Sequence, residues 1–145
     1  MAEIKRIGVL TGGGDSSGLN AAIRGVVMRA ADYGYEVLGI QEGWKGLVNG
    51  DVEPIGVDDV REVISIGGTM LGSSRTNPFK KEGDVEKCKA NVKKLGLDAI
   101  VAIGGDDTLG VANGLSRLGV PCVGVPKTMD NDVNLTDYCI GFDTA

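Results

Sequence analysis

A lysine, a threonine and two aspartates lie within residues 126–132 (PKTMDND), directly after the short apolar run 120–125. That run has the length and composition of a buried parallel strand. Because ligands bind at the carboxyl ends of strands in open α/β sheets, a site is expected here. Lys127 can hold a phosphate as a point charge, and a carboxylate two or three residues further on can accept a hydroxyl proton. An Asx-rich turn would explain Asn131 and Asp132 but not the lysine, so we favour a functional loop.

Two other predicted strands end in glycines and aspartates. Residues 104–108 (GGDDT) follow the apolar run 98–103, and residues 11–15 (TGGGD) follow residues 4–10. Aspartate and threonine at a helix start are good N-caps, which is the plain explanation of the first segment. Yet adjacent carboxylates repel each other unless a cation lies near, and a Mg²⁺ held by one carboxylate and phosphate oxygens would meet that need. We therefore favour a metal or phosphate site over capping.

The glycine turn at residues 11–15 matches neither of the common nucleotide motifs. Ser17 stands where the dinucleotide fingerprint has its third glycine, and the Walker lysine is absent. The turn leads into a helix N-terminus, where free N–H groups attract anions, so a phosphate site and a plain strand–helix turn are equally open. Arg75 could bridge phosphate oxygens, although a surface arginine is the commoner case. Trp44 could stack on a ligand, but such a residue is more often a packing anchor.

Composition argues against several classes of function. The chain has 145 residues, enough for one domain with a core, and its net charge of −5 disfavours nucleic acid as a partner. No apolar run approaches the ~18 residues of a membrane span. The three cysteines are widely spaced without a metal-ligand pattern, as in a cytoplasmic protein with reduced thiols. Because the sequence has no histidine, acid–base chemistry near neutral pH must use carboxylates, lysines, cysteines, tyrosines or the N-terminus.

Hydrophobic periodicity predicts one alternating α/β domain over residues 1–145, with a parallel sheet. The predicted strands are residues 4–10, 35–40, 52–56, 98–103 and 120–125. The predicted helices are residues 18–33, 58–66, 83–95 and 107–118. Positions expected to share the inward face of a helix are Val60 with Ile64, and Leu109, Ala112, Leu115 with Leu118. Residues 41–51, which hold Trp44, are expected to form a loop.

Four motifs together resemble the phosphofructokinases over the whole chain. They are residues 10–20 (LTGGGDSSGLN), 67–75 (GGTMLGSSR), 104–108 (GGDDT) and 126–132 (PKTMDND). The resemblance implies a parallel-sheet, Rossmann-like three-layer sandwich, as in the N-terminal domain of that family. It also implies that the chain is the N-terminal part of a longer enzyme, because family members run to more than twice this length. The NAD and lipid kinases share the glycine–aspartate turn without the last motif and are a weaker match.

The resemblance implies roles for single residues. Asp106 would be the Mg²⁺ ligand, and Asp130 would be the base that takes the proton from the 1-hydroxyl of fructose 6-phosphate. Arg75 would stabilise charge on the transferred phosphate, Thr128 would contact the phosphoryl group and the sugar, and Asp132 would support the site electrostatically. The other residues implied in donor or sugar contacts are Gly13, Gly14, Gly105, Asp107, Thr108, Lys127 and Met129. These roles suit phosphoryl transfer, which depends mainly on positioning and charge neutralisation.

Two positions distinguish subgroups of the family by donor. ATP-using members typically carry glycine at the positions of Asp107 and Lys127, whereas the Asp–Lys pair resembles members that use pyrophosphate. A carboxylate at Asp107 would occupy the space and charge of the ATP α-phosphate, and Lys127 would restore positive charge near the smaller donor. The resemblance thus implies pyrophosphate-dependent phosphorylation of fructose 6-phosphate in glycolysis, in a cytoplasmic homo-oligomer. The alternatives are ATP as the donor, with ATP binding or allosteric control, and a phosphate-binding module without turnover.

Overall fold

The computed structural model describes residues 3–144, which form five strands and four α-helices. The strands are β1 (Arg6–Thr11), β2 (Glu36–Ile40), β3 (Val52–Pro54), β4 (Ala99–Gly104) and β5 (Cys122–Pro126). The helices are α1 (Leu19–Asp32), α2 (Trp44–Asn49), α3 (Asp84–Leu95) and α4 (Asp106–Arg117). Three short 3₁₀ turns lie at Val57–Val60, Val63–Ser65 and Pro78–Lys80.

The five strands form one sheet in the order β3-β2-β1-β4-β5. β1 pairs in parallel with both β2 and β4, and β4 pairs in parallel with β5. In this register Thr11 lies opposite Ile103, and Gly104 lies opposite Pro126. The carboxyl ends of β1, β4 and β5 are therefore neighbours. The three glycine- or aspartate-bearing segments that follow them emerge at one edge of the sheet, as the sequence predicted.

Helices cover both faces of the sheet, which confirms the predicted three-layer α/β sandwich. On one face α2, α3 and α4 bury an apolar cluster that includes Leu10, Ile40, Leu47, Cys88, Ile100 and Leu115. On the other face α1 and the first 3₁₀ turns bury a second cluster that includes Val9, Leu19, Ile23, Val27, Val60 and Ile103. The central strands contribute side chains to both clusters because successive residues of a strand point to opposite faces. This packing fixes the strand ends that carry the candidate site.

The sheet departs from the prediction in two details. It is mostly parallel as predicted, but β3 runs antiparallel to β2. The run 120–125 was expected to be buried, yet β5 is an edge strand of the described sheet and Val123 is 60% exposed. An apolar composition does not distinguish a central strand from an edge strand, so periodicity alone missed both points.

Three predictions about helices are also wrong. Residues 41–51 contain α2, a six-residue helix that is stabilised by burial of Trp44 rather than by its own propensity. Residues 58–66 form two 3₁₀ turns instead of an α-helix, and Ile64 is 59% exposed. Leu118 follows the end of α4 and is exposed, whereas Val111 is buried. No helix within residues 3–144 is both long and apolar enough to cross a membrane.

Candidate functional site

The glycine turn after β1 (residues 11–15) is hydrogen-bonded to β4 and to the loop that carries Arg75. The Thr11 hydroxyl is fully buried, donates to the Gly72 carbonyl at 2.8 Å and contacts the Thr69 hydroxyl at 2.7 Å. The Gly12 amide donates to the Ile103 carbonyl at 2.9 Å, which ties the turn to β4. Gly13 has a φ of +80°, a left-handed conformation that favours glycine. The turn is thus held between β4 and the loop that carries Arg75.

The second segment begins α4 directly at the end of β4. Gly105 is the N-cap, and the helix begins at Asp106, so its free N–H groups face the same edge of the sheet as the glycine turn. The Asp106 and Asp107 side chains are exposed in the first turn, where the helix dipole favours negative charge. Thr108 is buried against Gly104, where an added Cβ would lie 2.5 Å from the Thr108 Cβ. The glycine at the strand end therefore lets the helix start close to the sheet.

Lys127 joins the third segment to the first. Its side chain is only 6% exposed, and its Nζ donates to the Gly14 carbonyl at 2.6 Å. Burial lowers the pKa of the Lys127 ammonium, and the nearby Asp15 carboxylate partly opposes that effect. A buried cation beside a glycine turn is placed to meet an anion that enters the turn.

The loop after Lys127 has its own internal hydrogen bonds. The Thr128 amide donates to the Ile140 carbonyl at 3.2 Å, and the Asp130 amide donates to the Thr128 hydroxyl at 3.1 Å. Asn131 has a φ of 51°, and its side-chain oxygen accepts from the Cys139 amide at 2.9 Å. Asn131 therefore folds the loop back on itself and leaves the Asp130 carboxylate exposed to solvent.

The three segments enclose one cleft of about 290 Å³. It is lined by Gly13, Gly14, Gly105, Asp106, Asp107, Thr108, Lys127, Thr128 and Asp132. All nine were singled out from the sequence. Glycine N–H groups, one buried cation and carboxylates at the mouth make a cleft that suits a phosphate with a bound metal.

Arg75 lies in an adjoining cavity of about 200 Å³ that shares Gly13, Asp107 and Thr108 with the first. The remaining lining residues of this second cavity are Trp44, Ser74, Thr76 and Asn77. Two of the predicted residues line neither cavity: Asp130 and Met129 are both exposed on the loop after β5. The structure thus brings the predicted donor residues together and places the predicted base on the loop beside them.

Magnesium would have few protein ligands in this arrangement. Among the described residues, no three acidic, cysteine or histidine side chains lie close enough together to hold a metal ion. The exposed Asp106 and Asp107 carboxylates supply the oxygen donors that Mg²⁺ prefers. This donor set fits a Mg²⁺ that takes one carboxylate from the protein and its other ligands from phosphate and water.

Trp44 is a packing anchor, as the sequence favoured, since its side chain is 2% exposed, but its contacts with the candidate site were not predicted. Trp44 lines the cavity of Arg75, and its indole N–H donates to the Thr108 carbonyl at 3.3 Å. The single tryptophan between two glycines was the only signal in the sequence, and it predicted neither the helix nor this hydrogen bond.

The comparisons of this chain with known proteins agree with one another on its family. A family model described as Phosphofructokinase matches residues 6–145. A pyrophosphate–fructose 6-phosphate 1-phosphotransferase of Dictyoglomus thermophilum is 64% identical over 140 residues, which are 97% of this chain and 40% of that protein. An ATP-dependent 6-phosphofructokinase of Bacillus pumilus is 50% identical over 142 residues, 98% of this chain and 44% of that protein. The chain thus spans about 40% of the length of these curated relatives.

Solved structures agree with the fold. Phosphofructokinase from Pichia pastoris in the T-state superimposes with a TM-score of 0.91 at 32% identity, over 98% of this chain and 17% of that one. A pyrophosphate-dependent phosphofructokinase from Marinobacter aquaeolei gives a TM-score of 0.80 at 26% identity, over 96% of this chain and 37% of that one.

Proposed function

The chain belongs to the phosphofructokinase family, and from this we propose that it provides the donor site and catalytic loop for phosphorylation of fructose 6-phosphate by pyrophosphate. The reaction transfers a phosphoryl group to the sugar 1-hydroxyl and gives fructose 1,6-bisphosphate. The observation that carries the proposal is the position of Asp107 and Lys127 on the same cleft, around the glycine turn after β1.

The cleft residues would bind and neutralise the donor. The backbone of Gly13, Gly14 and Gly105 would approach the phosphate oxygens, and Lys127 would supply positive charge. Asp106 would hold a Mg²⁺, which when bound neutralises charge on the phosphate oxygens. Thr108, which lines the cleft and packs against Gly12 and Gly104, would also contact the donor. Arg75, in the adjoining cavity, would stabilise charge on the transferred phosphoryl group.

The loop after β5 would serve the acceptor. Asp130 would accept the proton of the 1-hydroxyl, a role for which this sequence offers no histidine. Thr128 and Met129 would contact the phosphoryl group and the sugar, and Asp132 would support the site electrostatically. We further propose that the full-length protein is a glycolytic homo-oligomer of the cytoplasm. Residues 1–145 would form its N-terminal domain.

ATP is the second candidate donor, because ATP-dependent relatives match this chain at 50% identity or more. The physical argument against ATP is the Asp107 carboxylate, which lines both cavities and would meet the α-phosphate of a nucleotide. A phosphate-binding module without turnover is the third candidate. It predicts binding of pyrophosphate–Mg²⁺ by calorimetry without any product.

A coupled assay of the full-length protein tests the donor. We expect turnover with pyrophosphate and a low rate with ATP. Asp107→Gly should raise the ATP rate, because it opens space and removes a repelling charge. Lys127→Gly alone should mainly weaken the pyrophosphate reaction, and the double substitution should shift preference furthest toward ATP. An unmodified enzyme that prefers ATP would show that the pair has been misinterpreted.

A further inference from the structure

Residues 42–44 have an unusual backbone next to the candidate donor site. Glu42 has a φ of 53° and Gly43 a φ of 64°, so two successive residues adopt left-handed values before α2 begins at Trp44. A non-glycine residue in this region is uncommon, and it is strained unless its surroundings hold it. The contacts of these three residues show what holds them.

Glu42 is attached on both sides to the loop that carries Arg75. Its amide donates to the Leu71 carbonyl at 2.8 Å, and its carbonyl accepts from the Ser74 hydroxyl at 2.6 Å. Ser74 is the residue directly before Arg75. The position of the arginine therefore depends on the backbone of Glu42.

Gly43 lies against the glycine turn after β1. A Cβ added to Gly43 would lie 2.9 Å from the Thr11 carbonyl oxygen and 3.6 Å from the Gly12 Cα. It would also lie 3.7 Å from the Ser74 amide nitrogen. No side chain fits here, so the turn and the Arg75 loop approach each other across this glycine.

Trp44 reaches the third part of the site. Its side chain is 2% exposed, and its Nε1–H donates to the Thr108 carbonyl in the first turn of α4 at 3.3 Å. That turn also carries Asp106 and Asp107. Through this hydrogen bond, the segment 42–44 is connected to the turn that carries the two carboxylates at the mouth of the cleft.

We propose that Trp44 is a positioning residue of the donor site: with Glu42 and Gly43 it fixes the Arg75 loop and the first turn of α4 relative to the glycine turn. This inference rests on the proposed function. Phosphoryl transfer depends on positioning and electrostatics, and a displacement of about 1 Å can reduce the rate ~100-fold. Trp44 itself touches no reacting group in this scheme and acts through the Thr108 carbonyl.

The test compares Trp44→Phe with Asn91→Ala in the full-length protein. Trp44→Phe removes the indole N–H and keeps an aromatic ring. We expect kcat/KM for pyrophosphate to fall ~10-fold and the Kd of pyrophosphate–Mg²⁺ to rise to a similar extent, while KM for fructose 6-phosphate stays within about two-fold. Asn91 donates to the Leu47 and Val48 carbonyls at 2.8 and 2.9 Å and so anchors the other end of α2. Asn91→Ala should lower Tm without a selective effect on the donor.

Several outcomes would overturn the proposal. Unchanged donor kinetics and Kd in Trp44→Phe would do so, as would an equal donor-selective loss in Asn91→Ala. If Trp44→Phe does not fold, Ser74→Ala removes the hydrogen bond to Glu42 and should produce the same donor-selective loss. If the unmodified protein binds pyrophosphate–Mg²⁺ without turnover, the proposed function has failed, and the Kd values of the variants still decide the positioning role. If it binds neither pyrophosphate–Mg²⁺ nor ATP–Mg²⁺, both proposals fail.

Discussion

Asp130 is the residue at which proton transfer is expected. Its carboxylate is exposed, and its amide is fixed by the Thr128 hydroxyl. In the full-length protein, Asp130→Asn should lower kcat by ~10² or more with a smaller effect on KM, because the base acts in the transition state. Asp137→Asn is the matched control, since it removes another exposed carboxylate of the same loop. A kcat near that of the unmodified enzyme in Asp130→Asn would exclude this residue as the base.

Lys127 gives the donor step a pH dependence. Burial lowers the pKa of its ammonium below the ordinary value of 10.5, so the neutral amine forms at a lower pH than in an exposed lysine. We expect kcat/KM for pyrophosphate to fall on the alkaline side as pH rises through this lowered pKa. Lys127→Arg should move the fall to higher pH, because a guanidinium stays charged. An alkaline limb that is the same in both proteins would assign it to another group.

The same shift has a consequence for stability. The folded-state pKa of Lys127 lies below its unfolded value, so protonation favours the unfolded chain. The fold is therefore less stable below the folded-state pKa, and it gains stability as pH rises from that value toward 10.5. A group that supports phosphate binding thus lowers stability at neutral pH, as is common at functional sites.

At the scale of elements, the strand-end glycine Gly104 sets how closely α4 approaches the sheet. A Cβ on Gly104 would lie 2.5 to 2.7 Å from the Thr108 side chain, so Gly104→Ala must displace the first turn of the helix. We expect a loss of about 1–3 kcal/mol in the free energy of unfolding, together with weaker donor binding. Gly110→Ala is the control in the same helix. Apart from its chain neighbours and the backbone of its own helix, no heavy atom lies within 4 Å of its Cβ position, and the substitution should stabilise the helix by about 0.5–1 kcal/mol. Chemical denaturation of both variants measures the difference.

The sequence predicted best the helices in which the hydrophobic periodicity extends over several turns. α1 and α3 differ from their predicted bounds by one residue at the N-terminus, and α1 also ends one residue early. α2 was missed because six residues flanked by Gly43 and Gly50 carry too little periodicity, and its stability comes from burial of Trp44. The antiparallel direction of β3 is set by its pairing with β2. A strand of three residues carries no sequence pattern that predicts this direction.

Part of the candidate site was predictable from the sheet topology alone. Parallel strands end at one edge of a sheet, so three motifs at strand ends could be placed together without coordinates. The hydrogen bond from Lys127 to the Gly14 carbonyl joins residues 113 positions apart, and no local pattern encodes it. The same holds for the contact of Trp44 with Thr108.

At the scale of the whole molecule, an apolar groove of about 490 Å³ lies open between α1 and the sheet. Its lining includes Val26, Tyr33, Val101, Ile103, Val125 and Ile140. In the proposed function the cleft residues bind the donor, and no described residue is assigned to the phosphate of the sugar. We expect the purified 145-residue chain to show no phosphorylation of fructose 6-phosphate. Measurable product in a coupled assay, absent with Asp130→Asn, would refute this.

The exposed edge of β5 has a further effect on the same chain. An apolar edge strand with unpaired backbone groups favours pairing with other chains. Val123, at 60% exposure, is the most accessible apolar side chain of that strand. Val123→Lys should reduce concentration-dependent self-association in sedimentation experiments and leave Tm nearly unchanged. Ile64→Lys, at a site 59% exposed away from the sheet edge, controls for added charge. Equal improvement in both variants would argue against pairing at the edge.

The burial of Trp44 also gives the protein an optical probe of its own. It is the only tryptophan in the sequence, and it lies between the cavity of Arg75 and the Thr108 carbonyl. When the indole is excited selectively, its fluorescence therefore reports on a single, defined environment beside the candidate donor site. Any movement of the first turn of α4 on donor binding would change that environment, because the indole donates to the Thr108 carbonyl of that turn. Such movement can be followed in real time by rapid mixing, without attached dyes and without coupling enzymes.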